Sequence, residues 1–192
     1  PVQDEVVGVE TEHRGDVAST VHNLAFLAFH RSDYARARVL YTQALAQKRA
    51  VYGNDDPRTL NTLDNLAQAE EELGDLAAAE RHLSDALALQ IKVVGADSVS
   101  VARARNDLAS VQQDRGEFVA AETNYREALA LYVRLEPADS MAWAITANNL
   151  ATLEEDRGDY AAALPLFRES LRIRQAHYKA PSASVARVQN NL

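Results

Sequence analysis

An all-α array of stacked helical hairpins is the fold this sequence predicts, and three features predict it. Asn/Asp-Leu steps end at Leu24, Leu66, Leu108, Leu150 and Leu192, so one unit recurs every 42 residues. A fixed period between about 20 and 50 residues marks supersecondary units that bury their apolar faces only by stacking. A Gly-acid-apolar step recurs inside the units, at Gly74-Asp75-Leu76, Gly116-Glu117-Phe118 and Gly158-Asp159-Tyr160. Glycine there ends one helix in the left-handed region and the acid caps the next, so each unit reads helix, tight turn, helix. Small-residue columns supply the third feature: Ala25/Ala67/Ala109/Ala151, Ala37/Ala79/Ala121/Ala163 and Ala44/Ala86/Ala128/Ser170. Set against Tyr41/Leu83/Tyr125/Phe167 and Leu45/Leu87/Leu129/Leu171, they let antiparallel helices interlock at about 8–10 Å.

The elements follow in order. First helices are predicted at 16–31, 57–73, 98–115 and 140–157, and second helices at 34–52, 76–94, 118–135 and 160–178. The links Gly53-Asn54-Asp55-Asp56-Pro57 and Gly95-Ala96-Asp97-Ser98 carry the stop and cap residues between repeats. The first turn reads Ser32-Asp33-Tyr34 in place of the glycine step, so it is expected to be more strained or differently closed. Pro165 falls within the first turns of its helix, where a missing N–H costs least. Residues 1–16 match only the tail of an inter-repeat link. Repeats then occupy 17–58, 59–100, 101–142 and 143–184, with a partial fifth at 185–192. Both ends cut through the pattern, as expected of a segment of a longer protein.

Composition removes whole classes of function. Lys and Arg number 20 against 28 Asp and Glu, a net charge of −8. Nucleic acid and anionic membranes both demand a basic patch, so neither is expected as a partner. The absence of cysteine excludes structural disulfides and thiolate metal sites and favours a cytoplasmic setting. No apolar run reaches the 18 or so residues of a membrane span. Neither a GxSxG elbow nor a phosphate-cradling glycine loop occurs among the seven glycines. No enzyme, cofactor or metal is expected; His22 and His30 stand eight apart rather than four, with no carboxylate between them.

With those residues in view, the chain resembles tetratricopeptide repeats from about residue 17 onward. The period exceeds the usual 34 residues by about two helical turns. Together with the Asn-Leu-Ala step, the Gly-Asp-Tyr turn and Ala163-Leu164-Pro165-Leu166-Phe167, that length resembles the kinesin-light-chain-like subclass. The resemblance implies a right-handed α–α superhelix of about four helix pairs plus the start of a fifth. It also implies that first helices line a concave groove holding a peptide. Mapped here, the groove face carries Ser19, His22, Asn23, Phe26, Phe29 and His30, then Asn61, Asp64, Asn65, Gln68, Glu71 and Glu72. Arg103, Asn106, Asp107, Ser110, Gln113 and Asp114 follow, then Ile145, Asn148, Asn149, Thr152, Glu155 and Asp156. Within each set the offsets i, i+3, i+4 and i+7 make one helical stripe.

Two readings of the stripe stay open. A carboxamide both donates and accepts, so Asn23, Asn65, Asn149 and Asn191 suit a grip on peptide backbone, whereas Asp107 keeps only the acceptor. The resemblance implies that peptide role; alternatively, the amides bond neighbouring helices and fix the stacking. Candidate peptide-binding residues are therefore His22, Asn23, Phe26, Asp64, Asn65, Gln68, Arg103, Asn106, Asp107, Asn148 and Asn149. The acids outnumber the single Arg103, which favours a basic or neutral peptide over an acidic tail. The aromatic stripe of His22, Phe26, Phe29 and His30 reads as an anchor pocket or as a contact with a preceding repeat. The expected partner is a protein or peptide segment. The competing expectation is a structural or regulatory arm that packs on its own parent protein or self-associates.

Overall fold

The computed structural model describes residues 2–136 and 140–178. Among them are eight helices and no strand. They are α1 (Val2–His30), α2 (Tyr34–Tyr52), α3 (Pro57–Glu72), α4 (Leu76–Val94), α5 (Val99–Asp114), α6 (Phe118–Leu135), α7 (Met141–Asp156) and α8 (Tyr160–His177). The fold is all-α. The chain divides into two compact units, Pro1–Val93 and Val94–Leu192.

The hairpin turns share one hydrogen-bond pattern. In the second hairpin the Gly74 N–H donates to the Glu71 carbonyl and the Asp75 N–H reaches back to Glu70. The same pair of bonds recurs at Gly116/Glu117 and Gly158/Asp159. This 5→2 and 6→1 arrangement closes the last turn of a helix and needs a residue at positive φ. Gly74, Gly116 and Gly158 supply it, and in the first hairpin Ser32 does so at φ 60°. The strain expected of the Ser32 turn is therefore located: a side chain sits where the other copies use glycine. The acid that follows caps the next helix. Asp33, Asp75 and Asp159 accept the N–H of Arg36, Ala78 and Ala162, whereas Glu117 makes no such bond. Its longer side chain pairs with Arg115 instead.

First helices begin on caps spaced by the repeat: Asp56, Ser98 and Ser140 accept from Arg58, Val101 and Trp143. At the corresponding position in the first copy stands Arg14, which has no acceptor to offer. The link expected over residues 1–16 is accordingly absent; α1 continues as helix back to Val2. The partial fifth repeat, with Asn190, Asn191 and Leu192, lies outside the described residues. Helix α8 passes through Pro165 unbroken.

Within each unit the alanine columns bring the helices together. In unit 1, Ala25, Ala37 and Ala86 are buried with Tyr41, Leu45, Leu63 and Leu66, so α2 packs on both α1 and α3. In unit 2, Ala109, Ala121 and Tyr125 share a core with Leu150 and Leu153, and α7 continues onto α8 through Ala151, Ala163 and Phe167. Ser170, the one departure in its column, is fully buried and donates to the Ala144 carbonyl at 2.6 Å. Each buried aromatic or leucine contributes roughly 1.5–3 kcal/mol.

Candidate functional site

The groove stripe has a different character in each unit. In unit 1 several outward residues of α1 and α3 are exposed. Asn23, Phe26, His30, Asn61, Gln68 and Glu72 are exposed and Asn65 is half-buried. Asn23, Asn61, Asn65 and Gln68 make no hydrogen bond among the described residues, so their donors and acceptors are open to an incoming chain. Phe26 lies edge-on to His30 at 4.1 Å between centroids, forming an apolar shelf beside Asn23. Asp64 and Glu71 sit half-buried on the same stripe.

His22 and Phe29 belong to the packing instead. The His22 ring meets Tyr41 at 5.4 Å and its Nδ1 lies 3.1 Å from the Thr62 hydroxyl. That hydroxyl also accepts from Lys48 Nζ at 2.9 Å while donating to the Arg58 carbonyl. Burial, followed by the Lys48 charge, pushes the His22 imidazole down to about 4. It is neutral at physiological pH and tied between hairpins. Phe29 packs on the unit 1 core and against Tyr34. The aromatic stripe thus splits, with His22 and Phe29 turned inward and Phe26 and His30 outward.

In unit 2 the amides bond to one another. Asn149 donates to Asn106 Oδ1 at 3.2 Å, and Asn106 passes its own N–H to Asp107 at 3.1 Å. Two turns further along, Gln113 donates to Asp156 at 2.9 Å and accepts from the Tyr125 hydroxyl. These relays join α5 to α7, as in the reading where the stripe's amides bond neighbouring helices and fix the stacking. Asn148 is buried at 7% exposure with an unbonded Oδ1, and so does not open onto the stripe. Arg103 is exposed. Burial pushes the Asp107 carboxyl up, outweighing the Asn106 hydrogen bond and the Arg103 charge. Asp114 is raised as well, by burial and then by the neighbouring Asp156.

Some buried polar positions escaped the sequence reading. The column Lys48/Gln90/Tyr132/Arg174 is buried in all four copies although each member ends in a polar atom. So is Glu70/Gln112/Glu154, whose members bond His82, Asn124 and Arg126 on second helices. The signal was available: at a fixed period, a polar residue recurring in one column marks a structural position, although Gln90 keeps an unbonded Oε1. These groups hold hairpins in register and leave the exposed stripe to first helices. Among the described residues, no group of three or more His, Asp or Glu is placed to hold a metal ion.

Comparison with known proteins agrees with this architecture. A family model described as tetratricopeptide repeat matches residues 16–92 and 65–134, and a second of the same description matches 143–182. Similar solved structures include BtubC (BKLC) from P. vanneervenii, 25% identical, with a TM-score of 0.82 over 98% of this chain and 75% of that one. Nearly identical TPR-like repeats of a Podosopora anserina protein named as a kinesin light chain align at 20% identity and a TM-score of 0.77. That alignment covers 94% and 85% of the two chains. A Rap protein complexed with competence and sporulation factor aligns at 16% identity and a TM-score of 0.72, over 86% of this chain and 44% of that one. No curated protein matches the sequence. The repeat length, the turn chemistry and the family matches agree: the chain belongs to the tetratricopeptide repeat family.

Proposed function

We propose that this protein is a protein–protein interaction module that holds a peptide, basic or neutral, on the stripe formed by α1 and α3. Tetratricopeptide repeats generally mediate protein–protein interaction, and the Rap structure was solved with a factor bound. The observation that carries the reading is the contrast between the units. Asn23, Asn61, Asn65 and Gln68 of the α1/α3 stripe make no hydrogen bond among the described residues, whereas Asn106, Asn149 and Gln113 of α5 and α7 are bonded between the two helices. A free carboxamide is held ready for an external backbone, and a bonded one is not. Asn23, Asn65 and Gln68 would pair with peptide N–H and C=O groups, Phe26 would seat an apolar side chain, and Asp64 would favour a basic one. Arg103 and Asp107 would set charge preference on unit 2, with Asn106 and Asn149 as its braces. The setting we infer is the cytoplasm, on the absence of cysteine.

The alternative, an arm that packs on its own parent protein, would occupy the same stripe from within. An arrayed library of short basic, neutral and acidic peptides tests the reading. Basic and neutral peptides are expected to bind the protein, and Asn23→Ala with Asn65→Ala to weaken the best of them. Each lost hydrogen bond is worth about 1 kcal/mol, or roughly fivefold in affinity. Unchanged affinity in the double variant overturns the amide mechanism.

A further inference from the structure

The first hairpin departs from the repeat at several positions that meet in one place, where α1 passes the end of α2. In the next two hairpins a carboxylate just ahead of the first helix pairs with a cation near the end of the second. Asp55 holds Lys92 at 2.6 Å, and Asp97 holds Arg134 at 2.5 Å. In the first hairpin these positions are His13 and Ala50, which cannot form the bridge. A cleft of about 210 Å³ stands there instead, lined by His13, Arg14, Val17, Gln47, Ala50 and Val51. Arg14 occupies the position of Asp56, so the mouth exchanges carboxylates for an imidazole and a guanidinium. Both side chains are exposed, and no acid among the described residues pairs with either. Val17, Ala50 and Val51 make the walls apolar. Gln47 is the polar exception in its column, which holds Leu89, Leu131 and Ile173 in the other copies. Its Oε1 is buried and accepts no hydrogen bond, a costly state that a donor in the cleft would relieve.

We propose that this cleft, separate from the groove stripe, binds an N-acylated apolar amino acid through its free carboxylate, its N–H and its side chain. The carboxylate meets the Arg14 guanidinium, whose planar fork suits it. The N–H donates to Gln47, and the side chain packs among Val17, Ala50 and Val51. Size sets the class of ligand. A cavity of about 150 Å³ admits a benzene ring, so a leucine or phenylalanine side chain fits. The cleft falls short of the roughly 300–1,000 Å³ that enclose larger ligands. A free N-acyl amino acid and the last residue of a peptide share this chemistry. The net charge of −8 opposes an anion at long range, so affinity rests on these local contacts and the site is weak.

Titration of the protein with N-acetylleucine into the millimolar range tests this, followed by NMR of the Gln47 NH2 and the Val17 and Val51 methyl groups. Saturable shifts at all three residues are expected. The uncharged amide of N-acetylleucine should bind roughly tenfold more weakly, and Arg14→Gln should erase that difference. Acetyl-alanyl-alanyl-leucine separates the two sources. Tighter binding than N-acetylleucine assigns the cleft to the end of a peptide, and equal or weaker binding assigns it to a free small molecule. His13→Asp with Ala50→Lys rebuilds the bridge of the later hairpins. It should close the cleft and abolish the shifts while circular dichroism and melting temperature hold. No saturable shift at these residues, an amide that binds as well as the acid, or full binding by the bridged variant overturns the proposal. The bridged variant leaves Asn23, Asn65 and Gln68 in place, so its binding to the peptide array reports separately on the groove reading.

Discussion

Asp107 shows how one residue separates bracing from binding. Its column holds Asn23, Asn65 and Asn149 elsewhere, and as a half-buried carboxylate it costs stability that an amide would not. Asp107→Asn keeps the acceptor for Asn106, so the melting temperature of the protein is expected to rise by a few degrees at pH 7. Because the Asp107 carboxyl is raised by burial, it is neutralised early as pH falls, and the advantage of the variant should disappear by about pH 4. Thermal melts at the two pH values check both parts. His22 has the opposite dependence. Its folded pKa of about 4 lies below the ordinary 6.5, so the unfolded chain takes up the proton first. Stability is full above pH 6.5 and declines as pH drops toward 4. His22→Gln, which keeps a partner for Thr62, should flatten that decline in melts between pH 7 and 4.5.

At the scale of the helices, the repeat made most of the structure legible. Seven of the eight helices start and stop within about two residues of the positions that turn chemistry and alanine columns predicted, and the alanines are buried where the columns placed them. The exception is α1, whose start depends on a missing signal: Arg14 occupies the cap position, and nothing before it breaks the helix. Turns respond to substitution in the same terms. Ser32→Gly should relieve the left-handed serine and stabilise the first hairpin by about 0.5–1 kcal/mol, measured by chemical denaturation. Ala79→Leu or Ala121→Leu, by contrast, pushes a branched side chain into a fully buried position between helices and is expected to cost roughly 1–3 kcal/mol in the same assay. What the sequence could not disclose was which amides of the stripe are spent. Asn23, Asn65, Asn106 and Asn149 look alike along the chain. Only the spatial neighbours decide, and Asn106 with Asn149 face each other while Asn23 and Asn65 face solvent. Asn148 was hidden for the same reason, since the single-residue step of about 100° from Asn149 turns it inward.

For the molecule as a whole, the tetratricopeptide repeat family points to a protein or peptide partner. The net charge of −8 predicts salt sensitivity. Binding of a lysine-bearing peptide should weaken as the screening length shrinks toward about 8 Å at physiological ionic strength, whereas a neutral peptide should hold its affinity. The central claim is that open amides on α1 and α3 grip a peptide backbone. Its most direct test is heteronuclear NMR of the side-chain amide groups while the strongest array peptide is titrated in. The expected result is a saturable shift of the Asn23, Asn65 and Gln68 NH2 signals, with the mutually bonded Asn106 and Asn149 nearly still. Saturable binding that moves other residues and leaves those three amides unshifted would contradict it.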